Sequence, residues 1–296
     1  MHRLPVEIAM TKKILLQLDI DPQPSSFDSV VAIDAGVDQL LRYEGVQVTG
    51  VTSIVHGAMF TRGGDNLKNT AIFIGGSDVG AAERLLTACQ EAFFGPVRVS
   101  LMLDANGCNT TASAAVVAAS RHIDLAGAKA VVLGGTGPVG RRVAQLLASD
   151  GADVILTSRS LDRAASAAKE ISEQVQSGSV NAGEAGSPAQ TAGVLAGAQI
   201  VIACGAAGIE LADEKTMQSL STLKVAIDLN AVPPAGIEGI GVADKAKSFG
   251  QGVGYGAIGV GGLKMKTHRA AIESLFTSND KVLNAAEIYA IAKSIG

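Results

Sequence analysis

Lys129-Ala130-Val131-Val132-Leu133-Gly134-Gly135-Thr136-Gly137-Pro138-Val139-Gly140 is the stretch that decides the fold. Ala130 to Leu133 is a short apolar run, read as a buried strand. Gly135-Thr136-Gly137-Pro138-Val139-Gly140 then spells G-x-G-x-x-G, and Pro138 suits the first position of a helix predicted over 138–149. Each glycine has a physical reason. The first makes a tight turn, the second lets backbone approach a pyrophosphate, and the third lets helix and strand pack closely. The helix start adds unpaired N–H groups and a positive dipole end for phosphate. Alone the motif is weak, and a plain Gly-rich turn is the bland alternative. Between an apolar strand and a helix it reads as a dinucleotide site.

Downstream, a second strand over 153–157 ends in Thr157-Ser158-Arg159-Ser160. An NAD site usually carries Asp or Glu on the ribose about 20 residues past the glycines. Here that place lacks a carboxylate. Arg159 offers a planar charged fork to a 2′-phosphate, Ser158 and Ser160 offer hydroxyls, and Arg163 follows one turn later. NADP is therefore the expected cofactor, against the alternative of a solvated arginine at a helix start. Strands are also read over 200–204 and 225–228. Gly205 and Ala206 follow the first and would let the nicotinamide ribose lie close. Asn230 and Ala231 follow the second, near the carboxamide, before a stiff Pro233-Pro234 turn.

Upstream the alternation continues. A strand is read over 14–18. Ser25 opens a helix as a capping box with Asp28, and Phe27, Val30, Val31, Leu40 and Leu41 keep helical spacing. Further strands are read over 71–74 and 97–103. Helices are read from Ser77 or Asp78 towards Phe94, and over the Ala-rich 109–122. The Gly/Ser-rich 177–188 reads as a surface loop. Gly-rich 250–262 leads into a helix over 263–276, and Asn284 caps a last helix ending near Ser294. Repeated β-α-β units imply an α/β fold with parallel sheets. Two domains are expected: a Rossmann-type NADP-binding domain over 125–261, and an α/β substrate domain formed by 1–124 and 262–296, with the C-terminal helices packing back onto it.

Composition excludes other classes. The 296 residues are 47% hydrophobic and 18% charged with net charge -4, a globular balance without a basic patch for nucleic acid. No apolar run reaches bilayer length. Residues 1–10 lack a leader's apolar core. The three cysteines, Cys89, Cys108 and Cys204, make no metal-ligand spacing, so reduced thiols, a cytoplasmic location and no metal are expected.

Longer strings are more specific. They include Pro24-Ser25-Ser26-Phe27-Asp28, Thr61-Arg62-Gly63-Gly64, Ala71-Ile72-Phe73-Ile74-Gly75-Gly76 and Phe93-Phe94-Gly95-Pro96. Asp104-Ala105-Asn106-Gly107-Cys108-Asn109-Thr110-Thr111, Asn230-Ala231-Val232-Pro233-Pro234-Ala235-Gly236-Ile237 and Gly256-Ala257-Ile258-Gly259-Val260-Gly261-Gly262-Leu263-Lys264 complete the set. On these the chain resembles, over residues 12–295, the NADP-dependent methylene-tetrahydromethanopterin and methylene-tetrahydrofolate dehydrogenases of methylotrophic bacteria. The resemblance implies two domains facing across an active-site cleft, a homo-oligomer (a trimer), and a place in cytoplasmic one-carbon oxidation. It also implies that Lys264 is the active-site lysine and that Phe27 lines the pterin site.

The chemistry implied is undemanding in proton transfers. The methylene carbon lies between two nitrogens, and losing a hydride leaves a methenyl cation spread over N–C–N. Positioning and electrostatics are what such a step needs. The chain accordingly shows no Ser-His-Asp set, HExxH or paired-carboxylate motif. Lys264 is read in the first turn of its helix, where dipole and burial would disfavour its charge and make it a hydrogen-bonding positioner. An ordinary exposed lysine is the alternative. His268, one turn on, reads as structural. Asp28 and Asp104 are candidates to steady the cation, or else a cap and a turn residue. Asn106, Asn109, Thr110 and Thr111 can reach pterin carbonyl and amino groups, though Asn109 is equally a helix cap. A carbonyl-reducing enzyme of shikimate dehydrogenase type and a non-catalytic NADPH sensor stay open as alternatives.

Overall fold

The computed structural model describes residues 11–296; the stretch 1–10, read as lacking a leader's apolar core, lies outside the described residues. In chain order the elements are β1 Ile14–Asp19, α1 Ser26–Asp34, β2 Gln39–Tyr43, α2 Val51–Phe60, β3 Thr70–Gly75, α3 Val79–Glu91 and β4 Ser100–Leu103. Next come α4 Cys108–Ser120, β5 Lys129–Leu133, α5 Pro138–Ser149, β6 Asp153–Ser158, α6 Leu161–Ser172, β7 Ser179–Glu184, α7 Pro188–Leu195, β8 Ile200–Ala203, α8 Glu214–Gln218 and β9 Val225–Asp228. The chain closes with β10 Lys247–Phe249, β11 Gly252–Tyr255, α9 Ala257–Leu275, β12 Val282–Leu283 and α10 Ala285–Ile295. They group into two compact units. The first runs to Asn106 and takes back Arg269–Leu283; the second is Gly107–His268 with Asn284–Gly296.

The first unit is a parallel sheet in the order β12-β4-β3-β1-β2. Leu16, Leu18, Ile72, Ile74, Leu101 and Leu103 bury one face against α2 and α3. Register sets Asp19 opposite Gly75 and Leu103 opposite Ile74, so Asp19, Gly75 and Asp104 share the carboxyl edge. Leu40 and Leu41, expected on a helix, lie in β2. The helix stops at Asp34 because Gly36 turns the chain with φ of 78°. The two-residue β12, too short to leave a periodic signature, pairs with Leu101 and Met102 of β4.

The second unit is a sheet in the order β10-β11-β9-β8-β5-β6-β7, parallel except for the β10–β11 hairpin. From β5 the strands wind outward both ways, the doubly wound arrangement whose switch point lies beside the first strand. The expected loop over 177–188 contains β7, which pairs with β6 over its whole length. Its Gly183 misleads: a Cβ there would come 2.7 Å from Ile155 and 3.1 Å from Val194, so close packing demands the glycine. The Gly-rich stretch over 250–262, read only as leading into a helix from 263, holds β11 and the start of α9. Cβ atoms on Gly256 and Gly259 would strike the carbonyls of Gly241 and Asp244 at 2.2 and 1.8 Å. The alanine-rich α4, expected with the substrate domain, has its residues in the second unit. Ala112, Ala115 and Ala119 share one buried core with Val143 and Leu147 of α5 and with Tyr289 and Ala292 of α10.

Candidate active site

The turn between β5 and α5, the candidate phosphate cradle, is shaped by its glycines. A Cβ on Gly140 would lie 2.6 Å from the Gly135 Cα, so helix and turn touch only through glycine. A Cβ on Gly135 would meet Leu156 at 2.8 Å, whereas at Gly137 it would meet nothing within 4 Å. The opening therefore lies above the middle glycine, at the N-cap of α5, where N–H groups point outward beside Thr136, Pro138 and Val139. Thr157 locks the turn: its carbonyl accepts the Gly135 N–H at 2.9 Å, and its hydroxyl accepts the Gly134 N–H at 3.3 Å.

At the end of β6, Ser158 Oγ accepts the Ser160 N–H at 3.3 Å, and Ser160 Oγ caps α6 by accepting the Arg163 N–H at 3.5 Å. Arg159 and Arg163 are exposed. Strand pairing brings Glu184 of β7 level with Ser158, a neighbour that spacing along the chain does not reveal. Gln190 Nε2 donates to the Glu184 carboxylate at 2.8 Å. Gly186 packs against the Arg159 backbone, 3.3 Å from a would-be Cβ.

The loops after β8 and β9 are held by close packing and by their own hydrogen bonds. A Cβ on Gly205 would meet Leu211 at 2.7 Å, and one on Gly134 would meet the Gly205 Cα at 2.7 Å, so these glycines serve packing. Ala206 and Ala231 are exposed. The Asn230 side chain holds its own loop, donating to the Pro234 carbonyl and accepting the Val232 N–H, each at 3.0 Å. Buried Asp228, which the sequence reading left out, accepts N–H groups from Asn230, Gly236 and Ile237 at 3.0, 2.7 and 3.2 Å. Burial raises its pKa against these donors, which pull the other way.

In the first unit, Phe27 is 49% exposed on α1 and Asp104 is fully buried at the end of β4. The Asp28 carboxylate stands 3.7 Å, and that of Asp19 3.4 Å, from the point a Gly75 Cβ would occupy. The expected capping box is half realised. Ser25 Oγ accepts the Asp28 N–H at 3.2 Å, but the Ser25 N–H donates to Asp19, 3.1 Å away.

The segment from Asn106 separates into roles. Asn106 and Gly107 both adopt left-handed backbone, φ 53° and 59°, and Asn106 is exposed. Lys264 Cε and Nζ each lie 3.3 Å from a would-be Gly107 Cβ, with Thr111 Oγ1 at 3.8 Å, so Lys264 and Thr111 flank Gly107. Asn109 neither caps α4, whose N-cap is Gly107, nor faces outward. It is buried, donating to Asn284 at 3.0 Å and accepting from Arg142 at 2.9 Å. Thr110 is also buried and donates to the Gly107 carbonyl at 3.4 Å. Lys264 is the eighth residue of α9, beyond the first turn in which a helix dipole acts, so that part of the expectation fails. His268 is buried, and burial, then the Lys264 charge, push its pKa down to about 3. Among the described residues no group of three His, Cys, Asp or Glu could hold a metal, and no helix is long and apolar enough to cross a membrane.

Residues 26–106 match the family described as methylene-tetrahydromethanopterin dehydrogenase, N-terminal. The chain is 46% identical over 288 residues to the bifunctional protein MdtA of Methylorubrum extorquens, covering 97% of this chain and 100% of that one. It is 30% identical over 295 residues to the NAD(P)-dependent methylenetetrahydromethanopterin dehydrogenase of the same organism, covering 97% and 99%. Two solved structures share the fold. Shikimate 5-dehydrogenase from Listeria monocytogenes superposes with a TM-score of 0.55 at 13% identity, covering 99% of each chain. Quinate dehydrogenase from Corynebacterium glutamicum gives 0.53 at 15%, covering 96% of this chain and 99% of that one. On the strength of identity running from end to end, the chain belongs to the methylene-tetrahydromethanopterin dehydrogenases.

Proposed function

We propose that this protein oxidises methylene-tetrahydromethanopterin to its methenyl form with NADP in one-carbon metabolism. The supporting observation is the cradle at Gly135–Gly140, open above Gly137 and closed by glycine contact beneath it, on a chain of this family. The residues fit the cofactor. The α5 N-terminus meets the pyrophosphate, and Arg159 with Ser158, Ser160 and Arg163 meets the 2′-phosphate. NADP, when bound, supplies the hydride acceptor.

The remaining work is positional and electrostatic. Phe27 offers a ring face to the flat pterin. Asp28 presents its carboxylate to the positive charge that develops on N–C–N, buried Asp104 adds its field from within the lobe, and Asn106 and Thr111 supply hydrogen bonds. Lys264 orients the substrate. No side chain need take a proton, because the methylene carbon leaves its electrons with the hydride and is stabilised by its own nitrogens. The first unit is the pterin lobe in this reading and the second the NADP lobe. Cytoplasmic residence and assembly into a homotrimer belong to the same reading, and light scattering tests the latter.

The decisive experiment follows NADPH formation and methenyl absorbance together when purified protein meets NADP and methylene-tetrahydromethanopterin, with methylene-tetrahydrofolate in a parallel arm. Both signals rising at equal rates support the proposal, and the faster arm names the pterin. Turnover of a hydroxy acid alone would point to shikimate-type chemistry. Nucleotide binding without any turnover would point to a sensor.

A further inference from the structure

We infer that Asp19 is a substrate-positioning residue: by taking the Ser25 N–H it keeps Asp28 over Gly75, at the carboxyl edge of the sheet, instead of in the helix cap. The inference rests on the proposed activity and concerns a residue outside the sequence motifs.

In an ordinary capping box the side chain three residues after the cap reaches back to the cap's own N–H. Here that residue is Asp28. The structure divides the box between two elements. Ser25 Oγ still accepts the Asp28 N–H, while Asp19, the last residue of β1, accepts the Ser25 N–H at 3.1 Å. The other Asp19 oxygen accepts the Asp21 N–H at 3.0 Å. With the cap satisfied from the strand, the Asp28 carboxylate lies 3.7 Å from the Gly75 Cβ position.

The same turn is held by two further side chains. Gln17, two residues before Asp19 and so on the same face of β1, donates to the Ser25 carbonyl at 3.1 Å and accepts the Ser29 hydroxyl at 2.8 Å. Arg42 of β2 donates to the Pro24 carbonyl at 3.2 Å. Gln17 and Asp19 are each 1% exposed in a strand whose Leu15, Leu16 and Leu18 are buried. Polar groups at such positions are costly unless bonded, and both direct bonds at the segment carrying Phe27 and Asp28. If burial were the only demand, apolar residues would serve better at 17 and 19.

The test is a double-mutant cycle of Asp19→Ala and Asp28→Ala, scored by kcat/KM for methylene-tetrahydromethanopterin, by KM for NADP, and by NADPH binding in fluorescence titration without pterin. Asp19→Ala is expected to lower kcat/KM for the pterin about tenfold in the native background. It should cause less than about a twofold further loss on top of Asp28→Ala, where there is no carboxylate left to position. NADPH affinity should stay constant throughout, reporting an intact cofactor unit. Asp19→Asn keeps the shape but has one acceptor oxygen for two N–H groups, and should fall between. It replaces Asp19→Ala in the cycle if the alanine variant does not fold. Equal losses in both backgrounds, or no loss in either, overturn the inference while wild-type turnover stands. Wild-type protein inert towards the methylene-pterin overturns the proposed activity instead.

Discussion

Lys264 occupies space that Gly107 leaves open, and this makes the glycine a probe of the lysine. Gly107→Ala would set a methyl 3.3 Å from Lys264 Cε and Nζ on a backbone with φ of 59°. The backbone strain costs about 1 kcal/mol. Turnover should fall further than that strain implies, because the lysine must move. Lys264→Ala should lower kcat about a hundredfold with KM for NADP unchanged, by steady-state kinetics. Arg159→Ala should raise KM for NADP tenfold or more, a loss of about 1.5–3 kcal/mol, and leave KM for NAD nearly unchanged. His268 sets an acid limit. Its folded pKa of about 3 lies below the unfolded 6.5, so on acidification the unfolded chain takes the proton first. Its contribution is whole above pH 6.5 and erodes towards pH 3, by at most about 1.4 kcal/mol per pH unit. Urea unfolding at several pH values should show that slope in wild type and a shallower one in His268→Gln.

At the scale of the element, glycine both revealed and concealed structure. The cradle was legible because its glycines have fixed spacing between an apolar strand and a proline-started helix, and α5 spans Pro138–Ser149 as read. Gly140→Ala should test the contact beneath it. A Cβ 2.6 Å from the Gly135 Cα costs about 1–3 kcal/mol of overpacking, seen as a lower Tm that saturating NADP does not fully restore. In β7 and at the start of α9, glycines are present because neighbouring chain comes close, and local spacing says nothing about neighbours. Hence 177–188 read as loop, and α9 read as starting six residues late at Leu263 rather than Ala257. The site followed the same rule. Gly135, Gly137, Gly140 and Arg159 lie on one βα unit and its successor, so proximity in sequence announced them. Asp19 and Glu184 come level with Gly75 and Ser158 through strand register, and Asn109 is fixed by bonds to Arg142 of α5 and to Asn284 at the start of α10, all set by tertiary pairing.

At the scale of the whole molecule, the two sheets invite separate readouts. NADP alone should slow amide hydrogen exchange over 134–140 and 158–163 and leave β1, β3 and β4 unaffected, which mass spectrometry of peptic fragments can resolve. A different property follows from β12. The chain changes unit at Asn106–Gly107, His268–Arg269 and Leu283–Asn284, and the returning Lys281–Leu283 segment covers β4, with the Lys281 carbonyl accepting the Leu101 N–H at 2.8 Å. A gene cut after codon 106 would therefore encode a half-built lobe with β4 bare and prone to stick to its own kind. Moving this lobe intact into a relative therefore means carrying the stretch up to Asn106 and Arg269–Leu283 together, because neither segment alone completes the sheet.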